Sequence, residues 1–148
     1  MTTKRILVTG ARAPATLELM KNLANNDCTV YAVDSVPFAL GFYTKWVEKY
    51  EVIPAAKQET TKFIHRLIDL IQRYEIDLLI PTCEEIFYIA KYKEELEAYA
   101  SVFCESIDRL AVLHHKYQFI ELAKSFGLQV PSSILCTDKR LLKDVDNK

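Results

Sequence analysis

Arg5-Ile6-Leu7-Val8-Thr9-Gly10-Ala11-Arg12-Ala13-Pro14 decides how the rest of the chain is read. Apolar and β-branched residues run into a small-residue turn, and beyond it Leu17, Met20, Leu23 and Ala24 recur at three- and four-residue steps. That order is strand, turn, helix, the opening unit of an α/β fold. Gly10 permits a tight reversal that a side chain would obstruct. Pro14 suits the first helical turn, where its fixed φ is already helical and its missing N–H has no partner to lose. In parallel sheets such turns lie at the carboxyl ends of strands, beside the crevice where ligands bind, so Thr9, Gly10 and Arg12 are the first candidate binding residues. Arg12 is either a planar fork for a carboxylate or phosphate or a solvated loop arginine.

The same alternation continues downstream. Cys28-Thr29-Val30-Tyr31-Ala32-Val33 reads as a second strand, ending at Asp34, whose carboxylate either holds a ribose hydroxyl or caps the turn that follows. Residues 36–50 carry Phe38, Phe42, Tyr43 and Trp46 without a clear period and read as a short helix or structured loop over the sheet edge. A third strand is expected at 51–53, stopped by Pro54. Between 60 and 74, Phe63, Ile64, Leu67, Ile68, Leu70, Ile71 and Tyr74 give the clearest amphipathic helix in the chain. The apolar run 76–80 suits a central parallel strand buried on both faces. Thr82 and Glu85 then have capping-box spacing, while Thr82 and Glu84 are placed to face the ligand crevice. A fifth strand at 100–104, a short helix at 106–113 and a last helix from 115 or 116 to Gly127 complete the pattern. It predicts a Rossmann-like parallel sheet of about five strands with helices on both faces.

A chain of 148 residues, half of them hydrophobic, is one ordinary domain able to bury roughly 68–70% of its unfolded surface. The net charge of −1 and the scattered lysines and arginines give no electrostatic case for nucleic acid or anionic lipid as a partner. No apolar run approaches the ~20 residues of a membrane span, and the N-terminus lacks a signal-peptide core, so a cytoplasmic protein is expected. Four cysteines without a C-x-x-C pair and three histidines offer no zinc spacing, and buried free thiols are the expectation. No residue forms a convincing nucleophile or acid–base pair, and no catalytic or metal-ligating residue is assigned.

Thr9-Gly10 also begins the T-G-x-x-G-x-x-G turn of NAD(P)-dependent short-chain dehydrogenases. Ala13 and Thr16 hold the places of its second and third glycines, which removes the close backbone approach the pyrophosphate needs. None of the eight tyrosines has a lysine four residues later, so the catalytic pair of that class is missing too.

The series Ile6-Leu7-Val8-Thr9-Gly10-Ala11-Arg12-Ala13-Pro14-Ala15, Tyr31-Ala32-Val33-Asp34-Ser35, Leu79-Ile80-Pro81-Thr82-Cys83-Glu84-Glu85, Leu113-His114-His115-Lys116-Tyr117 and Gly127-Leu128-Gln129-Val130-Pro131 resembles the N-terminal region of ATP-grasp ligases over about residues 4–135. This is the family of biotin carboxylase, carbamoyl-phosphate synthase and D-alanine ligase, and the chain looks most like its carboxylate–amine ligases. The resemblance implies a pre-ATP-grasp domain at 1–113, followed at 114–148 by a linker helix and the start of a truncated ATP-grasp region. It implies ligation of a small-molecule carboxylate to an amine through an acyl phosphate, with ATP and Mg²⁺ used by the full-length enzyme and neither held firmly by this fragment. Lys116 matches the family lysine that touches ATP phosphate; an aspartate commonly precedes it, and His115 stands here instead, leaving the local helix cap open. Thr9, Gly10, Arg12, Asp34, Thr82 and Glu84 fall on the substrate side. The ATP-grasp domain proper would have to come from beyond this chain, and the chain alone is expected not to hydrolyse ATP. The alternative from another class is a non-catalytic Rossmann-like module binding a nucleotide or a protein partner.

Overall fold

The computed structural model describes residues 3–138. Five parallel strands form a single sheet in the order β3-β2-β1-β4-β5: β1 (Arg5–Val8), β2 (Thr29–Asp34), β3 (Lys49–Val52), β4 (Leu78–Ile80) and β5 (Ser101–Val102). β1 is central and pairs with both β2 and β4, so the winding reverses between β1 and β4. That reversal opens a crevice at the carboxyl ends of the strands, the place where open α/β sheets bind ligands. The described residues also form six α-helices: α1 (Pro14–Asn25), α2 (Thr60–Arg73), α3 (Glu85–Lys91), α4 (Lys93–Glu97), α5 (Ile107–His114) and α6 (Lys116–Ser125). A short 3-10 helix, Leu40–Tyr43, precedes β3. The described part of the chain forms two compact units, one up to Ile107 and one from Asp108 onward.

Alternation along β1 divides the core of the first unit. Leu7 points into a layer with Tyr31, Val33 and Leu79, covered by Phe63, Ile64, Leu67, Leu70 and Ile71 of α2 and by Ile89 and Leu96. Ile6 and Val8 point the other way, to Val30, Ala32, Met20 of α1 and Phe42 of the 3-10 helix. Helices therefore cover both faces, as the near-continuous apolar strands require. The buried positions of α2 follow the expected stripe. Fully burying one such Phe or Leu is worth about 1.5–3 kcal/mol, so α2 is the principal anchor of its face.

The strand borders differ from the sequence reading where apolar signal is weak. β3 begins at Lys49 and ends at Val52, because its register with Tyr31 to Asp34 is set by β2 and not by its own half-exposed residues. β4 and β5 are shorter than the apolar runs containing them. The four cysteines carry no disulfide; Cys28, Cys83 and Cys104 are half-buried and Cys136 is exposed. No helix among the described residues is long and apolar enough to cross a membrane. The polar tail expected from 137 onward lies, after Asp138, outside the described residues.

Candidate functional site

The loops after β1 and β4 meet at the switch point. Gly10 has a φ of +67° and Cys83 one of +54°, so both turns rely on left-handed backbone. An added Cβ on Gly10 would lie 2.4 Å from Thr82 Oγ1 and 3.0 Å from Cys83 Sγ. Thr9 N–H donates to the Ile80 carbonyl at 3.2 Å, and Thr82 N–H donates to Thr9 Oγ1 at 3.1 Å. Thr82 Oγ1 donates to the Thr9 carbonyl at 2.6 Å; its single proton thus used, it accepts from Thr16 Oγ1 at 2.8 Å. Thr9 and Thr16 are buried. The expected capping box does not form: Glu84 is the cap residue of α3 with no side-chain cap bond, because the Thr82 hydroxyl is spent on β1 and α1.

Beside this knot sits an ion cluster. Asp34, with a fully buried side chain, accepts from the Arg12 backbone N–H at 2.8 Å, from Arg12 Nη1 at 3.0 Å and from the Val36 N–H at 3.0 Å. It therefore caps the turn after β2 and also grips the first loop. Arg12 makes a bidentate pair with Glu85, at 2.8 and 3.2 Å, and comes within 3.9 Å of the largely exposed Glu84. The Glu85 hydrogen bond, helped by the charges of Glu85 and Asp34 and opposed by burial, holds the Arg12 pKa above its usual value. One arginine thus ties together the loops after β1, β2 and β4. Arg12, Glu84 and Glu85 border a cleft of about 300 Å³, also lined by Ser35, Lys57, Gln58 and Tyr88, while Asp34 lies behind Arg12.

Thr9, Gly10, Arg12, Asp34, Thr82 and Glu84 are therefore neighbours, drawn from loops up to 73 residues apart. Lys116 belongs to the second unit, where it is exposed and opens α6. His115 caps that helix: its Nδ1 accepts from the Gln118 N–H at 3.3 Å. Sequence reasoning left Glu85 out of the site, although its place in the same turn as Thr82 was the available signal. Thr16, Lys57 and Tyr88 carried no signal of their own.

The first turn does not fit a dinucleotide or a triphosphate. The space over Gly10, where a phosphate would approach the backbone, is filled by Thr82 and Cys83, and the carboxylate of Asp34 is inaccessible to a ribose. Cys83, Glu84 and Glu85 bring ligand-type atoms within 4.8 Å of one another, but Glu85 is committed to Arg12. What the site offers is a preorganised polar cleft suited to orienting a small molecule.

A scan against protein-family models finds no match, and a search of curated proteins finds none either. Solved structures do match. The chain is similar to a biotin carboxylase domain of a single-chain bacterial carboxylase (TM-score 0.65, 15% identity), covering 98% of this chain and 34% of that one. It is similar to N5-carboxyaminoimidazole synthetase from Staphylococcus aureus, solved with ADP (TM-score 0.71, 13% identity), covering 99% and 36%. It is similar also to L-amino acid ligase from Bacillus licheniformis (TM-score 0.67, 11% identity), covering 98% and 42%. The chain thus spans between 34% and 42% of the length of these solved proteins. Its five-stranded parallel sheet and flanking helices have the fold of the N-terminal domain of ATP-grasp ligases.

Proposed function

We propose that this chain is the substrate-side, N-terminal part of an ATP-grasp ligase that joins a carboxylate to an amine through an acyl phosphate. The observation that carries the reading is the meeting of the β1 and β4 loops at one end of the sheet, where Arg12, Asp34 and Glu85 brace a polar cleft. Such a cleft orients a substrate without supplying an acid, base or nucleophile. The chemistry of activation belongs to ATP and Mg²⁺, held by an ATP-grasp domain that continues the chain or is supplied by a partner. In this chain Lys116 would give phosphate a point charge, and the first turn would give it nothing. The substrate is a small carboxylate or amine, and the protein works in the cytoplasm.

The test compares the 148-residue chain alone with the same chain joined to an ATP-grasp domain, following ADP release with panels of carboxylates and amines. The chain alone releases no ADP; the joined protein does, and only with a productive carboxylate. Lys116→Ala raises KM for ATP, whereas Glu84→Gln changes KM for the carboxylate or amine and leaves that for ATP unchanged. Tight binding of NAD(P) or ATP by the chain alone, read in a calorimeter, overturns the proposal in favour of a free-standing nucleotide-binding module.

A further inference from the structure

The cleft beside Arg12 carries two charges that the protein itself leaves unmatched. Arg12 is committed to Asp34 at 3.0 Å and to Glu85 at 2.8 Å, so its own charge is already met by two carboxylates. Glu84 is different: its one ion pair among the described residues is a 3.9 Å approach to Arg12, and its side chain is 79% exposed. Lys57, also exposed on the cleft wall, has no side-chain hydrogen bond or ion pair among the described residues. Lys57 follows β3 and Glu84 follows β4, and with β2 and β1 lying between, the strands that carry them stand about 14 Å apart. Lys57 and Glu84 therefore face one cleft without pairing with each other. The same wall offers the hydroxyls of Ser35 and Tyr88 and the amide of Gln58, none bonded through its side chain to a described residue.

We propose that the cleft takes a free α-amino acid as its zwitterion, the ammonium on Glu84 and the carboxylate on Lys57. Each end then meets an opposite charge that has no strong partner of its own, so binding breaks no ion pair of the protein. Other charge types fit less well. A phosphate or dicarboxylate would gain Lys57 but meet Glu84, with the surplus negative charge of Asp34 and Glu85 over Arg12 behind it. A diamine would find the acidic side and be repelled by Lys57. The volume of about 300 Å³ is at the small end of ligand sites, which suits an amino acid and leaves no room for a nucleotide. This inference rests on the reading of the cleft as the substrate side of a ligase, and it narrows that substrate from a carboxylate or an amine to a molecule carrying both.

The test is an NMR titration of the isotope-labelled full chain with each common L-amino acid in turn, up to about 10 mM. At least one should shift the amides of Ser35, Lys57 and Glu84 saturably. Its N-acetyl and carboxamide counterparts, each lacking one charge, should bind on the order of tenfold more weakly. Lys57→Gln should weaken the amino acid by a similar factor and make the protein indifferent to amidation, while Glu84→Gln should make it indifferent to acetylation. Far-UV spectra check that both variants fold; should either fail, the comparison of ligands on the wild-type chain decides. The proposal is overturned if no amino acid shifts these amides, if the acetylated and amidated forms bind as well as the parent, or if inorganic phosphate binds equally well, which would mark a plain anion site. The ligase reading is tested separately by ADP release from the joined protein. Release with simple carboxylates and amines, alongside a cleft that ignores amino acids, sinks this inference and spares that reading; charge-selective amino acid binding without ADP release does the reverse.

Discussion

Replacing Gly10 with alanine probes whether the switch point is packed as described. At a φ of +67° an L-residue costs about 1–2 kcal/mol in backbone terms alone. The new Cβ would also fall 2.4 Å from Thr82 Oγ1. That hydroxyl has little freedom to give way, since it is held at 2.6 Å by the Thr9 carbonyl and at 2.8 Å by Thr16. Making room means losing both bonds, at about 0.5–1.5 kcal/mol each. The sum is about 2–5 kcal/mol, and a 3 kcal/mol loss lowers Tm by roughly 10–15 °C in a domain of this size. Thr82→Ala removes the obstructing oxygen, so in that background Gly10→Ala should cost only the backbone part. Urea unfolding followed by far-UV circular dichroism, for wild type, both single variants and the double, should give a coupling of about 1–3 kcal/mol. Gly127→Ala supplies the control: its φ is +73°, yet nothing lies within 4 Å of the added Cβ, so only about 1–2 kcal/mol is expected. Additivity of the Gly10 and Thr82 changes, or a Gly10→Ala cost no greater than that of Gly127→Ala, would refute the reasoning.

Asp34→Ala strands the Arg12 and Val36 N–H groups and is expected to cost about 2–4 kcal/mol in chemical denaturation, with Asp34→Asn milder because an amide oxygen still accepts. The Arg5 backbone N–H, aided by the Lys4 ammonium, holds the Asp77 carboxyl below its ordinary value. Its stabilisation is therefore full above the usual Asp pKa, near 4, and is lost as pH falls through the depressed one. Asp77→Asn should flatten the acid limb of Tm against pH, the gap from wild type closing in acid. His115→Asp replaces a long cap bond with a better acceptor and a favourable charge at the start of α6, and should raise the stability of the second unit by about 0.5–1 kcal/mol in a urea melt.

The parts of the fold visible in the sequence are those whose cause is local. Pro14 does open α1, and the stripe from Phe63 to Ile71 is the buried face of α2. Gly127 closes α6 in a Schellman motif, with Leu128 N–H reaching the Ala123 carbonyl and Gly127 N–H that of Lys124. What stayed hidden depends on partners far along the chain. Thr82 and Glu85 have the spacing of a local cap, yet Thr82 bonds to Thr9 and Thr16, and Glu85 to Arg12. Spacing cannot rank a neighbour three residues away against one brought close by sheet order. The alternatives at Arg12 were a ligand fork or a solvated side chain, and no local signal pointed to two protein carboxylates as its partners. β3 escaped its true borders for a related reason: an edge strand with Lys, Tyr and Glu lacks the apolar run that betrays an interior one.

The central place of β1 also matters while the polypeptide is being made. Its β2 neighbour emerges from the ribosome soon after it, but its β4 neighbour, Leu78–Ile80, follows only after the 3-10 helix, β3 and α2. At typical synthesis speeds that interval of ~45 residues lasts roughly 2 to 9 s. During it Leu7 and its flanking amides stand bare on one side, inviting chaperones or a neighbouring nascent chain. A translational pause between α2 and β4 would lengthen that exposure, and the yield of soluble protein would register it.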